Sequence, residues 1–207
     1  MPLVKSCDRA ESREATRRKI GRIAVELFLR YGFQQTTADQ IAEAAGVSRR
    51  TFFRHFDTKE EALSAWGDDV GLDLAAVATA RPLAEPVFTT LRAALQALVD
   101  YAEQDVQRIR KLKELTGPTG LFPALRETKR GSWSGTLTTA LAARNGKMDF
   151  AGTALQVAVA FSAYDWAMSR WLVDSDGSTL GNLVDQAFRT IQSGFLSPDM
   201  EASRRAE

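Results

Sequence analysis

Apolar positions within residues 13–32 fall at Ile20, Ile23, Ala24, Leu27, Phe28 and Tyr31, the i, i+3, i+4, i+7, i+8, i+11 series of one helical face. Gly32 closes that helix. Two shorter segments follow, 38–45 and 49–55, neither long enough to hold as an isolated helix. Thr37 and Ser48 stand where an N-cap belongs, and Gly46 between the segments supplies the φ > 0 position that a sharp helix exit requires. A fourth helix is predicted over 59–79, capped by Asp57 or Thr58, with Glu60 and Glu61 complementing the dipole of its first turn.

The remaining chain continues in helical periods. Segment 84–106 presents Val87, Leu91, Ala94, Leu95, Leu98 and Ala102 on one face, and the basic run "RIRKLKEL" follows it. Residues 119–144 read as one kinked helix or two short ones, because Pro123 and "GSWSG" both weaken continuity. Segment 150–173 is apolar nearly all round. Segment 179–196 carries a clean stripe of Leu180, Leu183, Val184, Ala187, Phe188, Ile191 and Phe195. Loops are marked by Pro82, Gly117-Pro118, Asn145-Gly146 and "DSDGS". No segment alternates as a strand, so the fold class is all-α.

The two short helices stand only if they brace each other, and the spacing says how. Ala42 is small where they approach, Gly46 makes the turn, and Phe52 packs back beside Ile41 and Val47, a helix-turn-helix arrangement. Phe52 and Phe56, four apart, point inward and turn Arg50, Thr51, Phe53 and Arg54 outward. Charge supports the same reading. Residues 1–59 hold 12 Lys/Arg against 7 Asp/Glu, while residues 60–207 hold 15 against 19, so a basic N-terminal module is joined to an acidic remainder. Such a module suits a polyanion. An arginine near the N-terminus of a helix lying in the major groove can offer two donors to guanine O6 and N7. Thr37 and Lys59 flank that helix where phosphates would run, and Arg13, Arg17, Arg18 and Lys19 add salt-dependent affinity.

On the run "AVELFLRYGFQQTTADQIAEAAGVSRRTFFRHFDTKEEAL", residues 13–66 resemble the DNA-binding domain of the TetR family of bacterial transcriptional repressors. The resemblance covers about a quarter of the chain. It implies an all-helical homodimer whose C-terminal domain binds a small molecule that controls release from a double-stranded DNA operator. Thr37, Ser48, Arg49, Arg50, Thr51, Phe53, His55 and Lys59 fall where the family contacts DNA. The family often carries tyrosine at the place of Phe53 or Arg54; neither residue here has the hydroxyl, and Arg54 substitutes through charge. The implied organisation is a flexible tail over 1–12, a DNA-binding domain over 13–58, a helical ligand-binding and dimerisation domain over 59–196, and a flexible tail over 197–207.

A helix-turn-helix reads a palindrome only as a dimer. Segments 150–173 and 179–196 are the expected dimer elements, through Ala163, Ala167, Leu180, Val184, Phe188 and Ile191; the alternative is that they form intrachain core. Tyr101, Phe122, Trp133, Phe161 and Trp166 exceed what a small helical core needs and suggest a mostly apolar effector, with Asp165 as a polar handle. The basic Arg108, Arg110, Lys111 and Lys113 would suit an anionic one. A different class, an enzyme or metabolite-binding protein with an incidental helix-turn-helix, is disfavoured because the chain beyond residue 59 contains no His and no Cys. The lone Cys7 and His55 exclude an internal disulfide and an ordinary zinc site, so no metal or cofactor is implied. The one apolar stretch of membrane length, 154–173, contains Asp165 and Arg170, each costing roughly 2.5–3.5 kcal/mol near a bilayer centre. With no charged-then-apolar leader pattern, a cytoplasmic location is expected.

Overall fold

The computed structural model describes residues 3–65, 68–116, 120–144, 149–173 and 177–195. Those residues form helices and contain no strand. In chain order the helices are α1 (Leu3–Tyr31), α2 (Ala38–Ala44), α3 (Arg49–His55), α4 (Lys59–Ser64), α5 (Asp68–Ala80), α6 (Val87–Glu103), α7 (Val106–Thr116), α8 (Leu121–Arg144), α9 (Phe150–Trp171) and α10 (Leu180–Phe195).

Three boundaries differ from the sequence expectation. Helix α1 begins at Leu3, not near residue 13, because the intervening residues include no Gly or Pro and several good helix formers. The helix expected over 59–79 is two: α4 stops at Ser64, where the Ala65 N–H tightens onto Ala62 O at 3.2 Å, and α5 starts at Asp68. Residues 119–144 form a single helix from Leu121. Pro123 sits in its first turn, where an N–H has no intrahelical acceptor. Gly131 and Gly135 face open space, each costing roughly 1 kcal/mol relative to Ala without breaking the helix. The loop markers Gly117-Pro118 and Asn145-Gly146, most of "DSDGS", and the tail from Ser197 lie outside the described residues.

The chain divides into two compact units, one of Met1–Leu72 with Asp105–Trp133 and the other of Asp73–Gln104 with Ser134–Glu207. In the first, Ile20, Ala24 and Phe28 of α1 are fully buried, as are Ile41, Phe52, Leu63 and Leu112. Helix α1 meets the α4 end closely enough that a Cβ on Gly21 would stand 2.8 Å from the Ala65 Cβ, so this crossing depends on glycine. Gly71 is similarly covered, with Trp133 Cδ1 2.7 Å from where its Cβ would be.

The second unit packs α6, α9 and α10 around Leu91, Leu95, Leu98, Val157 and Phe161. The residues expected at a dimer interface lie largely out of solvent within this chain. Ala163, Ala167, Leu180, Val184 and Phe188 are all buried, and Ile191 is half-buried. The Phe188 ring lies 6.3 Å from that of Phe88, and Arg92 Nε donates to Asp185 at 2.5 Å, which fixes the α10 stripe against α6. The large apolar side chains left exposed on α9 and just after it are Phe150, Leu155, Trp166 and Val173. At the end of α5, the Arg144 guanidinium donates to the carbonyls of Ala78, Arg81 and Pro82, neutralising the negative end of that helix. No helix among the described residues is long and apolar enough to cross a membrane.

Candidate nucleic-acid interface

The turn between α2 and α3 is built from local chemistry. Thr37 Oγ1 accepts from the Gln40 N–H at 3.2 Å while Gln40 Oε1 accepts from the Thr37 N–H at 2.9 Å, a reciprocal cap that starts α2. Gly46, at φ 66°, lets the chain reverse, and the Val47 N–H reaches back to Ala42 O at 3.0 Å. Ser48 Oγ then accepts from the Thr51 N–H at 3.0 Å and starts α3. Each cap contributes about 1 kcal/mol, a large share for seven-residue helices.

Phe52 and Phe56 are fully covered, with ring centroids 5.7 Å apart. That burial rotates Arg49, Arg50, Phe53 and Arg54 to the solvent side. Arg50 and Arg54 have no ion-pair partner among the described residues. Arg49 donates to Asp39 at 2.6 Å, but both side chains are more than half exposed, so the pair is weak and easily exchanged for another anion. Its guanidinium also lies 5.3 Å from the Phe53 ring centroid. Thr51 is half-buried and its hydroxyl shares a 2.9 Å hydrogen bond with that of Ser48. Lys19 Nζ stands beside the turn, 3.9 Å from where a Cβ on Gly46 would be. Together these form a cationic, aromatic surface on the free side of a helix of groove-fitting diameter.

Two of the expected contacts, His55 and Lys59, lie off the free surface of the helix pair. His55 is buried because position 55 shares a face with Phe52 and Phe56, and its Nε2 has no hydrogen-bond partner among the described residues. Burial first, then Arg54, Arg13 and Arg17, hold its imidazole below the usual value, with Glu14 opposing. It therefore serves the inner face of α3 as a neutral ring. Lys59 is half-buried, donating to Phe33 O at 2.7 Å and Thr36 O at 2.9 Å, so it is not a free surface charge. Sequence reasoning also missed the role of Arg17. Its Nη1 donates to His55 O at 3.1 Å and its guanidinium covers the Phe56 ring at 4.6 Å, which ties α1 to the end of α3. No local spacing signals a bond across 38 residues.

The expected effector residues fall in both units. Trp133 is half-buried in the first unit, whereas Tyr101, Phe161, Asp165 and Trp166 belong to the second. Phe161 is core, and Trp166 is exposed under Arg170, whose guanidinium lies 5.6 Å from the ring centroid. Asp165 and Trp166 border an open cleft of about 560 Å³ with Ser169, Arg170 and Val173. The Phe122 side chain lies outside the described residues. A second open cleft, about 390 Å³, runs between α1 and α7 and is lined by Leu29, Arg30, Arg108 and Lys111 among others. Among the described residues no group of His, Cys, Asp and Glu is arranged to hold a metal ion.

Residues 22–65, spanning the end of α1 through α4, match the family described as bacterial regulatory proteins, tetR family. Over 194 residues the chain is 30% identical to the transcriptional regulator MftR of Mycobacterium tuberculosis, covering 88% of this chain and 92% of that one. The chain belongs to the TetR family. It is a DNA-binding transcriptional regulator. The HTH-type transcriptional repressor KstR2 of Rhodococcus jostii is 25% identical over 208 residues, covering 92% of this chain and 96% of its own. The TetR-family repressor FadR of Thermus thermophilus, solved with lauroyl-CoA, shares the fold with a TM-score of 0.57 at 24% identity, over 87% of this chain and 95% of that one.

Proposed function

We propose that this TetR-family regulator represses transcription as a homodimer on a palindromic operator and is released by a small, mostly apolar effector. The observation that carries the DNA half is the pair of arginines without an ion-pair partner among the described residues, Arg50 and Arg54, on the exposed face of a recognition helix capped by Ser48. Dimerisation is assigned to the outer face of α9, where Leu155 is 66% and Trp166 41% exposed in the isolated chain. Effector binding is assigned to the helices of residues 84–173, with Trp133 as the lever. That ring rests on Gly71 in the same unit as the reader, so a displaced indole would move the start of α5.

Fluorescence anisotropy with duplexes selected from a randomised palindromic library tests the reader. Arg50→Ala should lose about 1–3 kcal/mol of specific binding and relax preference at one base pair. Unchanged affinity and preference in the double variant Arg49→Ala/Arg50→Ala refutes the assignment. Screening apolar and acyl compounds by intrinsic tryptophan fluorescence, lauroyl-CoA among them, tests the effector. A tenfold release requires about 1.4 kcal/mol of differential affinity between the two states. Compounds that bind but leave operator affinity unchanged refute the switch.

A further inference from the structure

Lys59 opens α4, immediately after the Thr58 N-cap, and its ammonium reaches back 26 and 23 residues to the connector between α1 and α2. The two carbonyls it meets, Phe33 O and Thr36 O, converge on one point, and the Phe33 ring lies 4.6 Å beneath the same nitrogen. Two of its three protons are thus committed to backbone oxygens. The connector is pinned from the other side as well. Thr36 is 1% exposed and its hydroxyl donates to Gly32 O at 2.9 Å, while Gly32 makes the left-handed exit from α1 at φ 90°. Phe33 is buried against Phe28, with centroids 4.9 Å apart. The next residue is Thr37, which starts α2.

This arrangement gives Lys59 a different task from neutralising phosphate. A lysine whose charge is spent on two convergent carbonyls holds parts of the protein together, and the parts here are the first turn of α4 and the residues that set where α2 begins. We propose that Lys59 is a positioning residue for operator binding: a bracket that fixes the helix-turn-helix pair against α4. The charge is required because two carbonyl dipoles aimed at one site favour a cation over a neutral donor. It follows that displacing α4 strains the α2–α3 pair directly, through one side chain.

The test is Lys59→Met, which keeps the aliphatic stem and removes the ammonium, with Lys59→Arg and Thr36→Val beside it. Amide hydrogen exchange in the DNA-free protein should rise across residues 33–40 in Lys59→Met. Affinity for a duplex selected by the wild-type protein should fall about tenfold, the size of losing one charge-assisted hydrogen bond. The slope of log K against log salt should stay at the wild-type value. A lysine acting on phosphate instead lowers that slope by about 0.9. Thr36→Val carries no charge change, so a matching loss of affinity there arises from positioning alone. Lys59→Arg preserves charge but not the two convergent bonds, and should also bind weakly. A slope reduced by about 0.9 with unchanged exchange overturns the proposal. Wild-type affinity in Lys59→Arg and Thr36→Val overturns it too, and these two variants decide the matter if Lys59→Met does not fold.

Discussion

The two faces of the α9–α10 pair can be told apart by Phe188→Ala and Leu155→Glu. Phe188 is 4% exposed and packed against Phe88, so truncation removes a buried ring and leaves a cavity, at a cost of about 3–5 kcal/mol. For a chain of this size, each kcal/mol lowers the melting temperature by about 2–4 °C, which gives a fall of about 6–20 °C. Leu155 is 66% exposed, so a glutamate there changes protomer stability by no more than about 0.5 kcal/mol. If a partner covers Leu155, however, the same glutamate is buried unpaired. Even a modest penalty of about 2–3 kcal/mol weakens the dimer about 30- to 150-fold. Sedimentation velocity across a micromolar dilution series, with thermal unfolding followed by circular dichroism, measures both quantities. The expected pattern is an unstable protein for Phe188→Ala and a stable, dissociated one for Leu155→Glu. A Leu155→Glu protein that sediments as the wild type does, or a Phe188→Ala protein that sediments differently with an unchanged melting temperature, refutes the assignment of the two faces.

Gly71→Ala should force the Trp133 indole to shift, because the new methyl would stand 2.7 Å from Cδ1; a changed tryptophan emission and a loss of about 1–3 kcal/mol in urea unfolding are expected. His55 titrates below its ordinary value of 6.5, so the unfolded chain binds its proton first as pH falls. The reader's stability should be steady above pH 6.5 and decline below it until the folded-state pKa is passed, and His55→Gln should flatten this limb of the denaturation profile. Glu85 is held down to about 2, chiefly by the hydrogen bond from Arg81. Its contribution is present above pH 4.5 and lost as pH falls toward 2, so Glu85→Gln should remove that acid dependence from the unfolding of the second unit.

The helix-turn-helix was legible in the sequence because its determinants are local. Thr37 with Gln40, Gly46, and Ser48 with Thr51 act within three residues of one another, so cap and turn chemistry alone marks where α2 and α3 begin and end. The inner face was legible too, and more of it than the two phenylalanines. His55 follows Phe52 by three positions, a spacing that places both on one side of the helix, and that side is buried. The bond from Arg17 to His55 O and the bracket made by Lys59 had no such signal, because they join segments that only the tertiary fold brings together.

The α10 stripe presents a harder problem. Periodicity identifies a face that must leave water, but the free energy of removing apolar surface is the same whether α6 of the same chain or a second copy covers it. What distinguishes the two here is polar: Arg92 meets Asp185 beside Phe88 and Phe188, and a charge on α6 matched by one on α10 specifies an intrachain partner. Helix α9 is apolar nearly all round because it serves two surfaces. One side carries Val157, Ala160, Phe161 and Ala167 into the core, and the other leaves Leu155 and Trp166 exposed. A helix hydrophobic on both sides in a unit that covers only one of them is the feature on which the proposed second chain rests.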